Sequence, residues 1–321
     1  MYSLISVTIF TIIVSFFFRK DCIEQKILNF EQTQYLKGIA ILIIILCHTI
    51  GQAKETVIAT PLGGIGVGMF LFMSGYGLQE SFKKNKLSGF WRKKILRIFI
   101  PYTLFISIKS IFLDNFSFSN YLLDIFFIHT SYWYIGYLIR WYIFFWLSSL
   151  FNEKYKLSIL SVGSLLSLCL LPEIEAEQSI SFVLGVLVSI KIENIRLLPN
   201  KSIYTIAISA LVVGMSALAV KQLPVVRQND IIFLICQLLI KLPTALGLII
   251  LCGKLMPKNK LILICGAYSL ELYLIHMQTL KIIQYNTTLA NILSTSAFIL
   301  ITFILCYSFN LLCKKVNRIF A

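Results

Sequence analysis

The chain has 321 residues, of which 58% are hydrophobic and only 13% are charged, and its mean hydropathy is +0.84. Soluble domains are about 45–50% apolar and about 25% charged, so this composition excludes a soluble globular enzyme, and its hydrophobicity also excludes a disordered chain. Lys and Arg number 29 against 14 Asp and Glu, a net charge of +15, which in a soluble protein would indicate a nucleic-acid partner.

The sequence contains eleven apolar stretches that we predict to be membrane-spanning helices. A bilayer core requires about 17–25 apolar helical residues, and in chain order the predicted spans are 2–18, 36–51, 62–80, 97–113, 132–150, 156–171, 178–190, 203–220, 231–252, 261–280 and 290–313. The two short stretches on either side of Pro172 are either two crossings or one re-entrant pair. The predicted fold class is all-α, a polytopic transmembrane bundle of about eleven spans that forms a single membrane-embedded domain over residues 1–321.

The positive charges alternate between loops along the chain. Loops on one predicted side hold 22 of the 29 Lys and Arg residues, whereas loops on the other side hold four. Because basic residues near span ends stay in the cytoplasm, we expect a multi-pass protein of the plasma or inner cell membrane, with its N-terminus outside and its C-terminus cytoplasmic. Orientation thus explains most of the charge excess, and we expect contacts with membrane lipids and no nucleic-acid partner.

Lys37 and His48 lie at opposite ends of one predicted span. A helix places residues eleven apart within about 20° of the same bearing and about 16 Å apart along its axis. Gly38 and Ala40, like the glycines of 62–80, permit close helix packing. Either one elongated ligand contacts both polar residues, or Lys37 anchors the span at the membrane surface and His48 bonds to a neighbouring helix. The residues alone leave both interpretations open.

Lys94 and Arg97 form a second basic pair, three residues apart at the cytoplasmic start of the predicted span 97–113. Such residues are neighbours on one helical face, and two fixed cations there suit a phosphate group. A basic cluster beside a membrane also orients the chain and contacts anionic lipids without binding any specific ligand.

Glu271 and His276 are five residues apart in one predicted span, about 140° apart around the helix, so they do not share a face. We expect Glu271 to form an internal salt bridge with Arg140 or Lys241, because isolated charges in spans are costly. No metal site is predicted, since the three histidines are scattered and no His-Glu-x-x-His motif occurs.

Several stretches match one family pattern in the same order. They are Lys37-Gly-Ile-Ala followed by His48, Phe70-Leu-Phe-Met-Ser-Gly-Tyr76, Lys94-Ile-Leu-Arg97-Ile-Phe-Ile-Pro101-Tyr102, Gly266-Ala-Tyr-Ser-Leu-Glu-Leu-Tyr-Leu-Ile-His276 and, more weakly, Tyr132-Trp133-Tyr134-Ile135. Over residues 31–313 the chain resembles the integral-membrane acyltransferases of the acyltransferase-3 type, which O-acylate cell-surface glycans. Residues 1–30 would add one N-terminal span and a cytoplasmic loop. The chain departs from the family at Lys94, where Arg is frequent, and at Gln34, where many members have Asp.

The resemblance implies an O-acyltransferase that moves an acyl group, with acetyl expected, from cytoplasmic acyl-CoA (acetyl-CoA) to a surface polysaccharide or its lipid-linked precursor. Lys37, Lys94 and Arg97 would bind the CoA phosphates, and His48 would act as general base or carry the acyl group transiently. Supporting or acceptor-side roles fall to Ser74, Trp133, Arg140, Tyr268, Glu271 and His276. The alternatives are a transporter or flippase, and an enzyme of the same family acting on a small molecule or lipid.

Overall fold

The computed structural model describes residues 19–20, 28–52, 56–113, 116–128, 130–255, 258–286 and 292–320. The predicted span 2–18 lies outside these residues. The described part is all-α, as predicted, apart from a two-residue antiparallel ladder between β1 (Arg19–Lys20) and β2 (Lys258–Asn259).

The helices follow one another with short connections. In chain order they are α1 (Phe30–Gln52), α2 (Thr56–Asn85), α3 (Phe90–Lys94), a π-helical turn (Ile95–Phe99), α4 (Ile100–Phe112), α5 (Phe118–Ile125), α6 (Trp133–Ser148), α7 (Glu153–Leu170), α8 (Glu173–Ala176), α9 (Ser181–Ile190), α10 (Ile192–Arg196), α11 (Asn200–Lys221), α12 (Pro224–Arg227), α13 (Asp230–Leu255), α14 (Lys260–Ala267), α15 (Ser269–Asn286) and α16 (Ile292–Phe320).

Six spans in the described residues are long and apolar enough to cross a membrane, or seven if a bent pair counts as one span. The six are Phe30–Thr49, Pro61–Asn85, Phe90–Phe112, Asn200–Lys221, Asp230–Lys254 and Ser296–Ile319, and the bent pair is α14 with Ser269–Ile283, which meet at 85°. The predicted count of about eleven is not confirmed. Helices α6 and α9 have 16 and 10 residues, shorter than the roughly 20 residues that span a bilayer core.

The helices run between two ends of the bundle. The basic end carries Lys37, near the start of α1, and Lys94. The histidine end carries His48, near the end of α1, with the His276 ring packed beside it. Helix α15 thus leads from the basic end to the histidine end, and α16 brings Asn310 back to the basic end.

The two short predicted spans correspond to α7 and to the segment that ends in α9. Glu153 begins α7 and pairs with Lys86 at 2.6 Å, beside the basic end, whereas Glu173, just after α7, lines the cavity around His48. At the end of α9, Ser189 donates a hydrogen bond to Glu80 at 2.7 Å. The chain therefore passes from one end of the bundle to the other along α7 and returns through α9.

Glycines bring several helices into close contact. Gly38 in α1 lies so near α14 that a Cβ atom would overlap the carbonyl oxygen of Ile262, and Gly266 packs equally closely on α1. In α2, a Cβ atom on Gly75 would overlap the carbonyl oxygen of Phe182. Small residues allow such backbone approach between membrane helices, so the predicted packing role of these glycines agrees with the contacts.

One lysine of α7 lies inside the bundle. Lys156 is 2% exposed, and its Nζ atom lies 3.3 Å from the centroid of the Phe82 ring and 4.5 Å from that of Phe145. It also donates to Gln79 Oε1 at 3.1 Å. Aromatic faces attract a cation and replace part of its hydration, so Lys156 joins α7 to α2 and α6.

Candidate active site

Two cavities flank the middle of the bundle. The basic cavity, of about 520 Å³, lies at the basic end and is lined by Lys37, Ser74, Lys94, Arg97, Glu271, Tyr273 and Asn310, among others. The histidine cavity, of about 720 Å³, lies at the histidine end and is lined by Cys47, His48, Gly63, Gly64, Trp133, Glu173, Glu177, Gln237, Lys241 and Tyr273, among others. Residues predicted as CoA ligands and the predicted catalytic residue thus border different cavities.

The basic cavity brings together the three predicted phosphate ligands, although Lys37 lies 57 and 60 positions before Lys94 and Arg97 in the sequence. Among the described residues, none of Lys37, Lys94 and Arg97 forms an ion pair with a carboxylate. Lys94 Nζ lies instead 4.6 Å from the centroid of the Tyr142 ring. The cavity therefore has an excess of uncompensated positive charge, which favours a ligand with several negative charges.

The π-helical turn between α3 and α4 positions the basic pair. Pro101 has no N–H and cannot donate to the carbonyl four residues earlier. The backbone N–H of Ile100 bonds to the carbonyl of Ile95, five residues earlier, so the turn is widened by one residue. Such π-bulges are frequent at functional sites; Lys94 immediately precedes this turn, Arg97 lies within it, and both line the cavity.

The predicted salt bridge of Glu271 with Arg140 or Lys241 is wrong. Glu271 Oε1 accepts a hydrogen bond from Asn310 Nδ2 at 2.6 Å, inside the basic cavity. Arg140 Nη2 pairs with Glu175 Oε1 at 2.5 Å, and Lys241 pairs with Glu177. The physical reason is position along the bundle, because Glu271 opens α15 at the basic end whereas both cations face the acidic loop near the histidine end.

That acidic loop forms part of the wall of the histidine cavity. Glu173 and Glu177 line the cavity, and Glu177 and its partner Lys241 have side chains only 6% and 7% exposed. Gln237 also lines it, and its buried Oε1 atom has no hydrogen-bond partner among the described residues. This loop, residues 172–177, is joined to the bundle by ion pairs with Arg140 in α6 and Lys241 in α13.

His48 faces the histidine cavity, and His276 lies behind it. The two rings have centroids 5.3 Å apart and are tilted by 39°. His276 is 1% exposed, and its Nδ1 atom lies 2.8 Å from the carbonyl oxygen of Leu272. Trp133, another predicted site residue, lines the cavity with His48.

Tyr273 borders both cavities and was missed by the sequence analysis. Its ring packs against that of Tyr134 at 5.4 Å and that of His276 at 6.1 Å. Its position three residues before His276 puts it on the same helical face, a signal that the sequence offered. Tyr268 and Arg140 were predicted as site residues. Tyr268 lies at the bend between α14 and α15, and neither residue lines either cavity.

Ser74 lines the basic cavity close to the wall that separates it from the histidine cavity. Its hydroxyl faces those of Tyr134 and Tyr142. Within the described residues, no group of three or more His, Cys, Asp or Glu side chains is arranged to hold a metal ion.

The bundle and its two cavities define a multi-pass membrane protein with cations lining a cavity at one end and a histidine lining a cavity at the other. The chain belongs to the acyltransferase-3 family: the family model described as an acyltransferase domain matches residues 31–311. The protein is therefore a membrane acyltransferase, and the predicted family is confirmed. A search of curated proteins and a search of solved structures each found no match.

Proposed function

We propose that this acyltransferase moves an acetyl group from cytoplasmic acetyl-CoA to a hydroxyl of a surface polysaccharide, or of its lipid-linked precursor, across the cell membrane. One observation carries the proposal: three uncompensated cations and His48 border cavities on opposite sides of Tyr273. A donor with a polyanionic head and a slender reactive arm matches this arrangement, since the head and the reacting atom need different surroundings.

The proposed orientation puts the basic end in the cytoplasm and the histidine end outside. It is supported by the concentration of 22 of the 29 Lys and Arg residues in alternate loops, because basic residues resist translocation. The N-terminus would then be outside and the C-terminus cytoplasmic. Acetyl-CoA would enter the basic cavity from the cytoplasm, and the glycan would enter the histidine cavity from outside.

Donor binding would rest on Lys37, Lys94 and Arg97. Arg97 suits a phosphate because its planar group donates two parallel hydrogen bonds, and the lysines add point charges. Lys37 and His48 lie on one helix about 16 Å apart along its axis, so the pantetheine arm would follow α1 towards His48. The thioester carbonyl would reach the histidine cavity by passing Tyr273.

His48 would act as the general base. It would take the proton from the acceptor hydroxyl, whose oxygen would attack the thioester carbonyl, forming the ester C–O bond as the C–S bond breaks. The proton would pass from His48 to the departing CoA thiolate, which balances the transfer. The cavity of about 720 Å³ has room for the thioester and a sugar hydroxyl together, which favours direct transfer over an acyl-histidine intermediate.

The acceptor side suits a sugar. Trp133 offers an aromatic face, and Glu173 and Gln237 offer hydrogen-bond acceptors in the same cavity. Ligand sites for polar molecules combine apolar surface with a few such groups. A small molecule or a lipid bearing a hydroxyl would use the same chemistry, and measurement of the acetylated product distinguishes these acceptors.

The test is to measure O-acetyl content of purified surface glycan by NMR in cells with the gene, without the gene, and with a His48→Ala variant. We expect the acetyl signal to disappear in the second and third cases, with the variant still inserted in the membrane. An unchanged acetyl signal without the gene would exclude this glycan as the acceptor. In purified protein, acyl label that stays on wild-type protein in the absence of acceptor, but not on His48→Ala, would indicate a covalent intermediate instead of direct transfer.

A further inference from the structure

We propose that His276 is a positioning residue that fixes the tautomer of His48, so that His48 presents an unprotonated nitrogen to the histidine cavity. The inference rests on the proposed function, which makes His48 the residue that carries out the reaction. Its physical basis, the hydrogen-bonding state of two neighbouring imidazoles, is independent of which acyl group or acceptor is used.

The protonation of His276 follows from its partner. Its Nδ1 atom lies 2.8 Å from the carbonyl oxygen of Leu272, and a carbonyl oxygen only accepts hydrogen bonds. Nδ1 therefore carries the proton. In the neutral imidazole, which burial favours, Nε2 is then a bare acceptor.

That acceptor is unsatisfied. His276 is 1% exposed, and its Nε2 atom has no hydrogen-bond partner among the described residues. Buried polar atoms are rarely left unpaired, and an exception in a native fold calls for an explanation. The nearest aromatic rings to His276 are those of His48, at 5.3 Å, and Tyr273, at 6.1 Å.

His48 is the partner that can satisfy it. The His48 ring borders open space in the histidine cavity, and within the described part of the chain it forms no hydrogen bond. At a ring-centroid separation of 5.3 Å, rotation of the His48 ring can direct one of its N–H groups towards Nε2 of His276. The second nitrogen of His48 is then necessarily bare and faces the cavity, where either general-base or nucleophilic chemistry requires it.

Other ionisable groups around His48 do not take over this role. Those bordering the same cavity are Cys47, Glu173, Glu177, Lys241 and Tyr273. Glu177 is engaged by Lys241, and neither carboxylate forms a hydrogen bond with His48. A carboxylate partner, which orients the histidine in many active sites, is thus replaced here by a second imidazole.

The test uses ¹⁵N-histidine-labelled full-length protein in detergent or nanodiscs, with the His48 signals assigned through the His48→Ala variant. Two-bond ¹⁵N–¹H spectra distinguish the two neutral tautomers. We expect a single His48 tautomer in the wild type and a mixture in His276→Phe, which removes both hydrogen-bonding nitrogens. A tautomer mixture in the wild type, or an unchanged single tautomer in His276→Phe, would overturn the proposal.

Activity provides the second readout. We expect His276→Phe to lower kcat at least tenfold while KM for acetyl-CoA stays within twofold. His276→Gln keeps both a donor for Leu272 and an acceptor for His48, and should recover most of kcat. Equal losses in the two variants would indicate a merely structural role and overturn the proposal. If His276→Phe does not fold, the proposal is still tested by the tautomer spectrum of the wild-type protein and by the kcat of His276→Gln.

The two proposals fail in different ways. Full transferase activity in His48→Ala would refute the proposed function of His48, whereas the tautomer spectrum of the wild-type protein would still report whether His276 orients that ring. A normal requirement for His48 combined with mixed tautomers would leave the proposed function intact and remove His276 from it.

Discussion

The basic cavity and the histidine cavity manage charge in opposite ways. In the basic cavity, Lys37, Lys94 and Arg97 form no ion pair with a carboxylate among the described residues. At the histidine cavity, Lys241 is neutralised by Glu177 in a buried pair. Uncompensated cations cost stability unless an anion arrives, so the basic cavity is prepared for a polyanionic ligand. The histidine cavity is prepared for a ligand with little charge of its own.

Among variants that distinguish the roles of the two cavities, we expect the largest effect from His48→Ala. Loss of a general base lowers the rate by about 10²–10⁴-fold, and we expect acetyl transfer to fall accordingly. Because His48 does not border the basic cavity, the Kd for acetyl-CoA, measured by calorimetry on purified protein, should change less than twofold. A comparable loss of acetyl-CoA affinity would mean that His48 contributes to donor binding and not to the reaction alone.

The internal pairing of the histidine cavity can be broken by Lys241→Met. Removing one partner of a buried ion pair costs about 3–5 kcal/mol, so we expect a clear drop in the apparent melting temperature. Lys201→Met, at an exposed lysine of α11, is the matched control and should have little effect. Replacing Lys241 by Met and Glu177 by Leu together should restore most of the stability. A single variant as stable as the control would show that the pair is not a structural element.

The cationic character of the basic cavity can be reduced with Lys94→Ala combined with Arg97→Ala. Hydrogen bonds to charged groups contribute about 1.5–3 kcal/mol each, so the loss of two should lower acetyl-CoA affinity by about 10²–10⁴-fold. The loss should shrink at high salt, where electrostatic attraction is already screened. Lys93→Ala removes a cation from the same segment that does not line the cavity, and should leave affinity nearly unchanged. Equal losses in both variants would point to general surface charge.

The smallest of these effects concerns Tyr273, which separates the cavities. Tyr273→Trp places a larger ring at the passage that the thioester would use, so we expect the thioester to be misplaced and transfer to slow by roughly tenfold. Overpacking of the wall should also lower stability by about 1–3 kcal/mol. Acetyl-CoA affinity should be preserved. Tyr273→Phe keeps the ring size and should behave like the wild type. If Trp leaves the rate unchanged, the thioester does not pass this residue.

Sequence patterns were sufficient for features that depend on one helix. Mean hydropathy identified a membrane protein, and helical periodicity related Lys37 to His48 along α1. The order of the motifs identified the family. These properties depend on the spacing of nearby residues and on the length of apolar stretches, both of which can be read from the sequence.

Features that depend on two or more helices were not accessible in the same way. The partner of Glu271 was mistaken because helical phase gives the bearing of a side chain but not the neighbouring helix. The burial of Lys156 against aromatic rings from α2 and α6 depends in the same way on neighbours that its own helix does not reveal. Helix α9 is shorter than a usual membrane span. Buried turn residues before it cover part of the path between the two ends of the bundle.

The sharp bend between α14 and α15 has a consequence for the electrostatics of donor binding. Helix α15 begins at Ser269, and its first residues, Ser269 to Glu271, line the basic cavity. The first N–H groups of a helix have no partner inside it, and together they carry roughly half a positive elementary charge. Glu271 already places a carboxylate in this first turn, and that carboxylate offsets part of the helix charge. Replacing Glu271 by Gln should therefore strengthen the attraction of the basic cavity for a phosphate group.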